Sequence, residues 1–308
     1  MNIITSGYPY IDIDAYAGCV AYAELLNALG QPAKAVSTAP LNESITATIQ
    51  AWQAPIETIY APSSKDRYVL VDLSNPDYFE KFATPSQVSE VIDHHPGFET
   101  YWQKRLGERA QIEPIGSVCT IIYERWGKAD KLDSISTLSA RLLATGILEN
   151  TLNFGAVIST ERDHVAYEAV KRQADLPDDW PARYFGEMQA TIVKDLPTAL
   201  KNDTKSLPFK TFPHNVTVGQ LVVWDVHEIV QQQDIIEATL AKPNQPWFLN
   251  LVSVFEKKSY FIATNPEVQW WLSRLLSLTF DDSIATANRL WLRKEIITQD
   301  LTNIKIAV

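Results

Sequence analysis

Two apolar runs in the first third of the chain end in acidic side chains, and this pattern constrains the fold most. The run YVLVDL (68–73) is apolar until Asp72, and SQVSEVIDHH (86–95) repeats the pattern before Asp93 and two histidines. Continuous apolar runs of this length are typical of strands buried on both faces of a parallel sheet. Segments with helical spacing, such as 15–30, lie between the strand-like runs. This alternation predicts an α/β fold with an open, mostly parallel sheet.

The second half of the chain predicts a further, smaller α/β domain. It contains the strand-like runs NVTVGQLVVWDV, WFLNLVSVF and KKSYFIAT, with helix-like segments around them. A stretch rich in proline and charge precedes these runs, and 308 residues exceed the size of most single cores. We therefore predict a first domain over 1–188, a linker over 189–200 and a second domain over 201–308.

Composition narrows the class of partner. The formal net charge is −10, which disfavours a nucleic-acid duplex or a membrane surface because both attract clustered cations. No apolar run approaches the ~20 residues of a membrane helix. The two cysteines, Cys19 and Cys119, provide no disulfide framework, and the N-terminus lacks a signal-peptide pattern. We predict a cytoplasmic protein that does not bind membranes or duplex nucleic acid.

Acids and histidines gather where the predicted strands end. Asp12 and Asp14 stand two residues apart, and an extended segment would direct both to one side. Asp72 ends the next run, and the triplet 93–95 ends the one after it. Ligands of open α/β sheets bind at the carboxyl ends of the strands, so we expect these side chains to converge. Carboxylates with an imidazole suit a divalent cation.

Each of these residues also has an ordinary interpretation. An aspartate after a strand usually caps a helix or forms a turn. Asp12 and Asp14 would suit the first turn of a helix, where acids interact favourably with the dipole. A histidine pair after a strand is more often solvated than bound to metal. Convergence of three strand ends on the same chemistry favours the metal site.

A resemblance to a known family follows from the ordered motifs. The triplet DHH at 93–95, with its apolar lead-in, resembles the signature of the DHH phosphoesterase superfamily. EPIGSVCTIIYERW at 113–126 resembles the corresponding segment of the manganese-dependent (family II) inorganic pyrophosphatases, a group related to exopolyphosphatases. Further blocks resemble the family in order, and they are IDID at 11–14, LVD at 70–72, GILENT at 146–151 and ERDHVAYEA at 161–169.

The second half resembles the DHH-associated domain of the same group. The matching blocks are DTK at 203–205, VGQLVV at 218–223 and RLWLRKEII at 289–297. The nucleic-acid-processing branch of the superfamily carries a glycine-rich motif in this domain, and this chain has no Gly-Gly pair. The resemblance implies a DHH domain and a DHH-associated domain with the active site in the cleft between them, and it allows a homodimer.

The resemblance also implies a function. The chain would be a metal-dependent hydrolase of a phosphoanhydride, such as pyrophosphate, short polyphosphate or a related small phosphate compound. The cofactor would be manganese or magnesium, as one or two ions. Metal-activated water would attack phosphorus.

The roles of individual residues are carried over by motif. Asp12 would bind the first ion, Asp14 and His94 the second, and Asp72 both, while Asp93 would orient His94. His95 would donate a hydrogen bond or proton to the substrate phosphate. The clamp on the phosphate oxygens would consist of Lys205, Arg293 and Lys294, because guanidinium and ammonium groups both suit phosphate.

Two positions depart from the family pattern. The first motif usually begins Gly-His but here reads Gly7-Tyr8, and the fourth usually ends Ser-Asp-Thr but here has Asn150 at the aspartate. Each ion would thereby lose one protein ligand. The adjacent Glu149 carries the missing negative charge. On a strand, its side chain would face away from the metal site; in a loop, it would substitute for the aspartate that Asn150 replaces. The alternative function is therefore a catalytically weak or inactive homologue that binds a phosphorylated metabolite or nucleotide.

Overall fold

The computed structural model describes residues 1–302, which divide into two units at Trp180/Pro181. Unit 1 contains strands β1 (Asn2–Thr5), β2 (Ala33–Val36), β3 (Ile56–Glu57), β4 (Arg67–Val71), β5 (Val88–Asp93) and β6 (Ala110–Ile112). Its helices are α1 (Ile13–Ala28), α2 (Ala47–Ala51), α3 (Glu99–Leu106), α4 (Val118–Lys128), α5 (Thr137–Asn150) and α6 (Glu161–Ala174).

The sheet of unit 1 is entirely parallel, with strand order β3-β2-β1-β4-β5-β6. The chain leaves β1 toward β2 on one side and later returns to place β4 on the other side. The order therefore reverses between β1 and β4, and such a reversal opens a crevice at the carboxyl ends of the two strands. The strand interiors are buried, as the full burial of Ile4, Leu70 and Val91 shows. The predicted parallel sheet is confirmed.

Helix α1 lies close against this sheet because its sequence is rich in small residues. A β-carbon added at Gly18 would lie 2.7 Å from Cγ1 of Val71, the last residue of β4. A larger residue at position 18 would therefore push the helix away. This close approach brings the start of α1 near the end of β4, where the candidate ligands lie.

Unit 2 is the predicted smaller α/β unit. Its helices are α7 (Trp180–Lys194), which starts at the last residue of unit 1, α8 (Leu196–Asn202), α9 (His227–Val230), α10 (Gln233–Leu240), α11 (Pro266–Leu276) and α12 (Arg293–Thr302). Its strands are β7 (Thr204–Leu207), β8 (Val216–Val223), β9 (Trp247–Ser253), β10 (Lys258–Ile262), β11 (Phe280–Asp281) and β12 (Ile284–Ala287).

The sheet of unit 2 has the order β11-β12-β10-β9-β8-β7. Only the β8–β9 pairing among these is parallel, and the remaining pairings are antiparallel. Apolar clusters cover both faces of the sheet, one centred on Phe248 and Phe261 and the other on Leu249 and Leu251. The alternation of buried residues to the two faces follows the two-residue period of a strand.

The region between the units differs from the predicted linker. Residues 189–200 lie in α7 and α8, and the Oδ1 atom of Asp195 caps α8 by accepting from the amide of Thr198 at 3.2 Å. The division falls earlier, at Trp180, whose indole nitrogen donates to Thr145 Oγ1 at 3.1 Å within unit 1. Proline and charge therefore marked helix ends here rather than an extended connection.

Two further features concern the predicted environment of the protein. Among the described helices, none combines the length and apolarity that a bilayer crossing needs. Cys19 and Cys119 are free thiols, and both are buried. The cytoplasmic location and the homodimer stay predictions.

Candidate metal centre

Three neighbouring strands of unit 1 deliver the candidate ligands to one edge of the sheet. Asp12 follows β1, Asp72 directly follows β4, and Asp93 is the last residue of β5. The strands β1, β4 and β5 are consecutive in the sheet, so their carboxyl ends are adjacent. The structure thus brings together the residues that the sequence predicted to converge.

Asp72 and His94 form the buried centre of this site. Oδ1 of Asp72 lies 3.3 Å from Nε2 of His94, and the two side chains are only 6% and 5% exposed. Neither atom makes a hydrogen bond to any residue from 1 to 302. Because a buried polar atom without a partner is costly, this pair is the strongest sign that the site binds a cation. Asp72 also has a φ of 60°, a strained conformation of the kind that clusters at functional sites.

The ring of His94 is oriented by the backbone. Its Nδ1 atom lies 2.8 Å from the carbonyl oxygen of Ile115, which can only accept, so Nδ1 carries the proton. Nε2 faces Asp72 and, at 3.8 Å, Asp14 Oδ2, and it offers a lone pair once a bound cation displaces its proton. A second ring nitrogen fixed in this way is common among metal-binding histidines.

Asp14 is fully buried and is held by the start of α4. Its carboxylate accepts from Ser117 Oγ at 2.5 Å, from the Val118 amide at 2.9 Å and from the Cys119 amide at 3.1 Å. Amides at a helix N-terminus stabilise a negative charge there. The carboxylate is therefore fixed in place before any ion binds.

The local structure around Asp12 differs from the predicted extended segment. Helix α1 begins at Ile13, and Asp12 is its N-cap, accepting from the amide of Ala15 at 3.0 Å. Asp14 lies in the first turn of the same helix. The pair therefore opens a helix, as the ordinary interpretation of the sequence predicted. The Asp14 carboxylate nevertheless lies 3.8 Å from His94 Nε2, and the charge of Asp72 acts on Asp12.

Asp93 contacts His95 more directly than the ring of His94. Oδ1 of Asp93 accepts from the His94 amide at 2.7 Å and the His95 amide at 3.1 Å, and it lies 2.9 Å from His95 Nδ1. The predicted orientation of the His94 ring is made by Ile115 instead. The His95 side chain is 56% exposed, so it is accessible to a substrate.

The carboxylates of the cluster repel one another. Burial and the charges of Asp72 and Asp14 raise the pKa of Asp12 to about 7. Burial and the charge of Asp72 raise the pKa of Asp14 to about 6. Burial lowers the pKa of His94, but Asp72 and Asp14 outweigh it and raise that pKa to about 10. A cation bound among these groups would relieve the repulsion and displace the protons.

The donor set fits a divalent cation. Ligand atoms of Asp72, His94 and His95 all lie within 4.8 Å of one another. Carboxylate oxygens with an imidazole nitrogen suit manganese, and mostly oxygen donors suit magnesium. Asp14 Oδ2 lies 3.8 Å from His94 Nε2, and the charge of Asp72 acts on the carboxyl group of Asp12. We conclude that these side chains can hold a divalent metal ion.

The two altered positions are placed differently. Tyr8 is 47% exposed, with its amide donating to the Tyr78 carbonyl and its ring 5.9 Å from Lys81 Nζ. Asn150 is the last residue of α5, and its side chain makes no hydrogen bond to the described part of the chain. Glu149 lies in a helix, so neither the strand nor the loop considered from the sequence applies.

The predicted phosphate clamp lies in unit 2, and its three cations differ in environment. Lys205 and Lys294 are exposed, whereas Arg293 is buried. Arg293 Nη1 donates to the carbonyl of Asp203 at 2.8 Å, and Nη2 pairs with the Asp203 carboxylate. Arg293 therefore stabilises unit 2, and its predicted contact with phosphate stays a prediction together with those of both lysines.

Sequence reasoning missed three residues of the site. Ser117 caps α4 and binds Asp14, Ile115 orients His94, and the exposed Glu43 raises the pKa of Glu149. A serine before a helical run is a recognisable N-cap, so Ser117 could have been found. The backbone carbonyl of Ile115 and the loop residue Glu43 have no comparable sequence pattern that would identify them.

Comparisons with known proteins agree with this geometry. No family model matches the chain. The chain is 26% identical to the "Probable manganese-dependent inorganic pyrophosphatase" of Bacillus licheniformis and 25% identical to the manganese-dependent inorganic pyrophosphatase of Bacillus subtilis. In each case, 98% of both chains is covered. The predicted resemblance to this group of DHH phosphoesterases is confirmed.

Solved structures of similar fold extend over the same length. The "putative family II inorganic pyrophosphatase" of Methanococcus jannaschii matches with a TM-score of 0.66 and 16% identity, covering 98% of both chains. An exopolyphosphatase-related protein from Bacteroides fragilis matches with a TM-score of 0.53 and 11% identity, covering 97% of this chain and 89% of that one. These likenesses confirm the predicted fold, with two α/β units.

Proposed function

We propose that the protein is a metal-dependent hydrolase that cleaves a phosphoanhydride, with inorganic pyrophosphate as the first substrate to test. One observation carries the proposal: Asp72 Oδ1 and His94 Nε2 are buried, lie 3.3 Å apart and have no hydrogen-bond partner in the part of the chain that the structure describes. Relatives that align over nearly the whole chain are named manganese-dependent inorganic pyrophosphatases. Manganese is therefore the cofactor we propose, with magnesium as the metal to compare.

The geometry of unit 1 supports a set of residues that would hold the ion. Asp72 and His94 would bind it directly, and Asp12 and Asp14 would contribute carboxylates from the start of α1. A bound divalent ion supplies an activated water nucleophile and neutralises charge on the phosphoryl group. Asp14 is kept in place by Ser117 and the amides of α4, so the site is organised before substrate arrives.

His95 is the group that we assign to the substrate. Burial lowers the pKa of His95, but the hydrogen bond to Asp93 and the charge of Asp72 raise it overall. A protonated His95 donates through Nδ1 to Asp93 and has its exposed Nε2–H left for a phosphate oxygen. His95 would hold a proton for the leaving group, and Asp93 would position it.

In unit 2, we propose that Lys205 and Lys294 bind phosphate oxygens. Both side chains are exposed, and ammonium groups are suitable partners for phosphate. Arg293 would act at the same site only with the donors that its contacts to Asp203 leave free. The substrate class, a small phosphate compound, needs only these local cations and agrees with a chain of net charge −10.

The proposal is tested by phosphate release with Mn²⁺, Mg²⁺ or Co²⁺ from pyrophosphate, tripolyphosphate and nucleoside triphosphates. We expect release from pyrophosphate with Mn²⁺ in the unchanged protein and loss of release in Asp72→Asn. Asparagine tolerates the positive φ of Asp72, so this variant removes the charge without straining the backbone. Asp77→Asn, an exposed change after the same strand, is the matched control.

One result would overturn the hydrolase. If no substrate releases phosphate with any of the three metals, while phosphate compounds raise the melting temperature of the protein, the chain is a binding protein. Equal activity of Asp72→Asn and the unchanged protein would show that the reaction occurs elsewhere.

A further inference from the structure

Helix α5 contacts the ligand cluster along one face. A β-carbon added at Gly146 would lie 2.6 Å from Cys119 Sγ and 3.3 Å from Asp14 Oδ1. The last two turns of α5 are therefore packed directly against the residue that α4 holds in the cluster. Residues three or four positions further along a helix lie on the same face. The positions that continue the Gly146 face are 149 and 150, which are the last two of the helix.

The carboxylate at position 149 lies among the other acids of the site. The pKa of Glu149 is raised to about 8, first by burial and then by the charges of Asp12, Asp14, Glu43 and Asp72. Position 149 lies three residues after Gly146, on the face of α5 that packs against Asp14, and the charges of four acids act on its side chain. Its neighbour Asn150 is neutral.

No cation within the described residues offsets this charge. Glu149 is half-buried and forms neither an ion pair nor a hydrogen bond through its side chain with any residue from 1 to 302. A carboxylate near four other acids without a positive partner is unfavourable unless a cation binds there. The unpartnered Asp72 Oδ1 and His94 Nε2, both nine-tenths buried, point independently to such a cation.

We propose that Glu149 is a metal ligand of this site and supplies the negative charge that the neutral Asn150 does not. The proposal rests on the metal-dependent function given above and adds a ligand from α5 to those from the strand ends. Glutamate is one methylene longer than aspartate, and its flexible side chain can reach the ion from the adjacent helical position. The ion would then be held by carboxylates at the start of α1, directly after β4 and at the end of α5, together with Nε2 of His94.

The test measures metal binding directly. Isothermal titration with Mn²⁺, at pH 7.5 and after removal of metal by EDTA, compares the unchanged protein with Glu149→Gln. We expect the Mn²⁺ affinity of Glu149→Gln to fall by about tenfold or more, since loss even of an outer-shell partner costs that much. Glu168→Gln, at an exposed position of α6 in the same unit, is the matched control and should bind as the unchanged protein does.

Thermal melting without metal separates a lost ligand from a damaged fold. Removal of one of several repelling acids should leave the melting temperature of metal-free Glu149→Gln equal to or above that of the unchanged protein. The rise in melting temperature caused by Mn²⁺ should be smaller in the variant. A variant that is stable without metal yet binds Mn²⁺ weakly has lost a ligand rather than its structure.

The outcomes distinguish this proposal from the function on which it rests. If Glu149→Gln binds Mn²⁺ with unchanged affinity while Asp72→Asn loses binding, Glu149 is not a ligand and the metal site stands. If the unchanged protein binds no Mn²⁺, the metal-dependent function and the role of Glu149 are both wrong. Low stability of metal-free Glu149→Gln would assign Glu149 a structural role and would also overturn the proposal.

Discussion

The Nδ1 atom of His95 lies 2.9 Å from the Oδ1 atom of Asp93, two residues earlier in the chain. The same oxygen accepts the amides of His94 and His95, so one carboxylate fixes both the backbone and the ring at the end of β5. This arrangement holds His95 at the surface beside Asp72, whose Oδ1 lies 3.6 Å from the same ring nitrogen.

The first prediction concerns the proton on His95. Because the bond to Asp93 raises the pKa of His95, Asp93→Asn should lower that pKa, and a nuclear magnetic resonance titration of the ring measures it. Under the proposed function, the variant should also lose about 100-fold in kcat, since general acid catalysis typically contributes at least this factor.

The chain offers a matched control for this change. His227 Nδ1 lies 2.5 Å from Asp225 Oδ1, with the same two-residue spacing, on the exposed surface of unit 2. Asp225→Asn should lower the pKa of His227, which Asp225 raises, and leave phosphate release unchanged. An unchanged pKa of His95 in Asp93→Asn would contradict the account of this pair.

The second prediction concerns the pH dependence of stability without metal. In the folded protein the pKa of Asp12 is raised from 3.8 to about 7 and that of Glu149 from 4.5 to about 8. The pKa of His94 is raised from 6.5 to about 10. For each group, at a pH between its ordinary pKa and its raised pKa, the folded state holds a proton that the unfolded state has released. The free energy of unfolding should therefore fall as the pH rises from 5 to 9.

Urea unfolding in EDTA at pH 5, 7 and 9 measures this trend. Each proton held only in the folded state contributes a slope of up to about 1.4 kcal/mol per pH unit. Acids with lowered pKa values, such as Glu113 and Asp93, act below this range and do not obscure it. Saturating Mn²⁺ should remove most of this fall, because the metal-bound folded state no longer holds these protons. A free energy that rises from pH 5 to 9 in EDTA would refute the charge balance derived for the site.

The parallel sheet could be predicted from sequence because buried strands leave a local signal. YVLVDL is apolar as far as Asp72, and SQVSEVIDHH carries Val88, Val91 and Ile92 before Asp93; the corresponding strands β4 and β5 end at Val71 and Asp93. The convergence of Asp12, Asp72 and Asp93 followed from the rule that ligand sites lie at the carboxyl ends of parallel strands.

Other parts of the site depend on contacts that no local pattern encodes. The spacing of Asp12 and Asp14 is the same in an extended segment and in a helix start, so the N-cap at Asp12 could not be distinguished. The placement of Glu149 was open because it depends on where α5 ends, and successive helical residues differ by about 100° in direction. The bond between His94 and Ile115 involves a carbonyl, which every residue carries.

The third prediction concerns Asn150 and its coupling to Glu149. Asn150→Asp should tighten Mn²⁺ binding, because it adds a charge on the face of α5 that contacts Asp14 through Gly146. If Glu149 already supplies that charge, the gain should be larger in a Glu149→Gln background than in the unchanged protein. Isothermal titration of the four combinations gives this coupling as a double-mutant cycle. No change of affinity in either background would place position 150 outside the site.

The last prediction separates the two roles that the adjacent cations Arg293 and Lys294 have in unit 2. Arg293→Met removes a buried guanidinium that donates to the carbonyls of Asp203 and Val218 and pairs with the Asp203 carboxylate, so we expect a loss of about 1–3 kcal/mol in the free energy of unfolding. Lys294→Ala changes an exposed side chain and should leave the free energy of unfolding within about 0.5 kcal/mol of that of the unchanged protein.

If Lys294 binds substrate phosphate, Lys294→Ala should raise the KM for pyrophosphate several-fold. Lys201→Ala, at an exposed position of α8, is the control and should change neither stability nor KM. Urea unfolding and steady-state kinetics on the same preparations measure both effects. An unchanged KM in Lys294→Ala would remove this lysine from the proposed phosphate site, and unchanged stability in Arg293→Met would refute the structural role of Arg293.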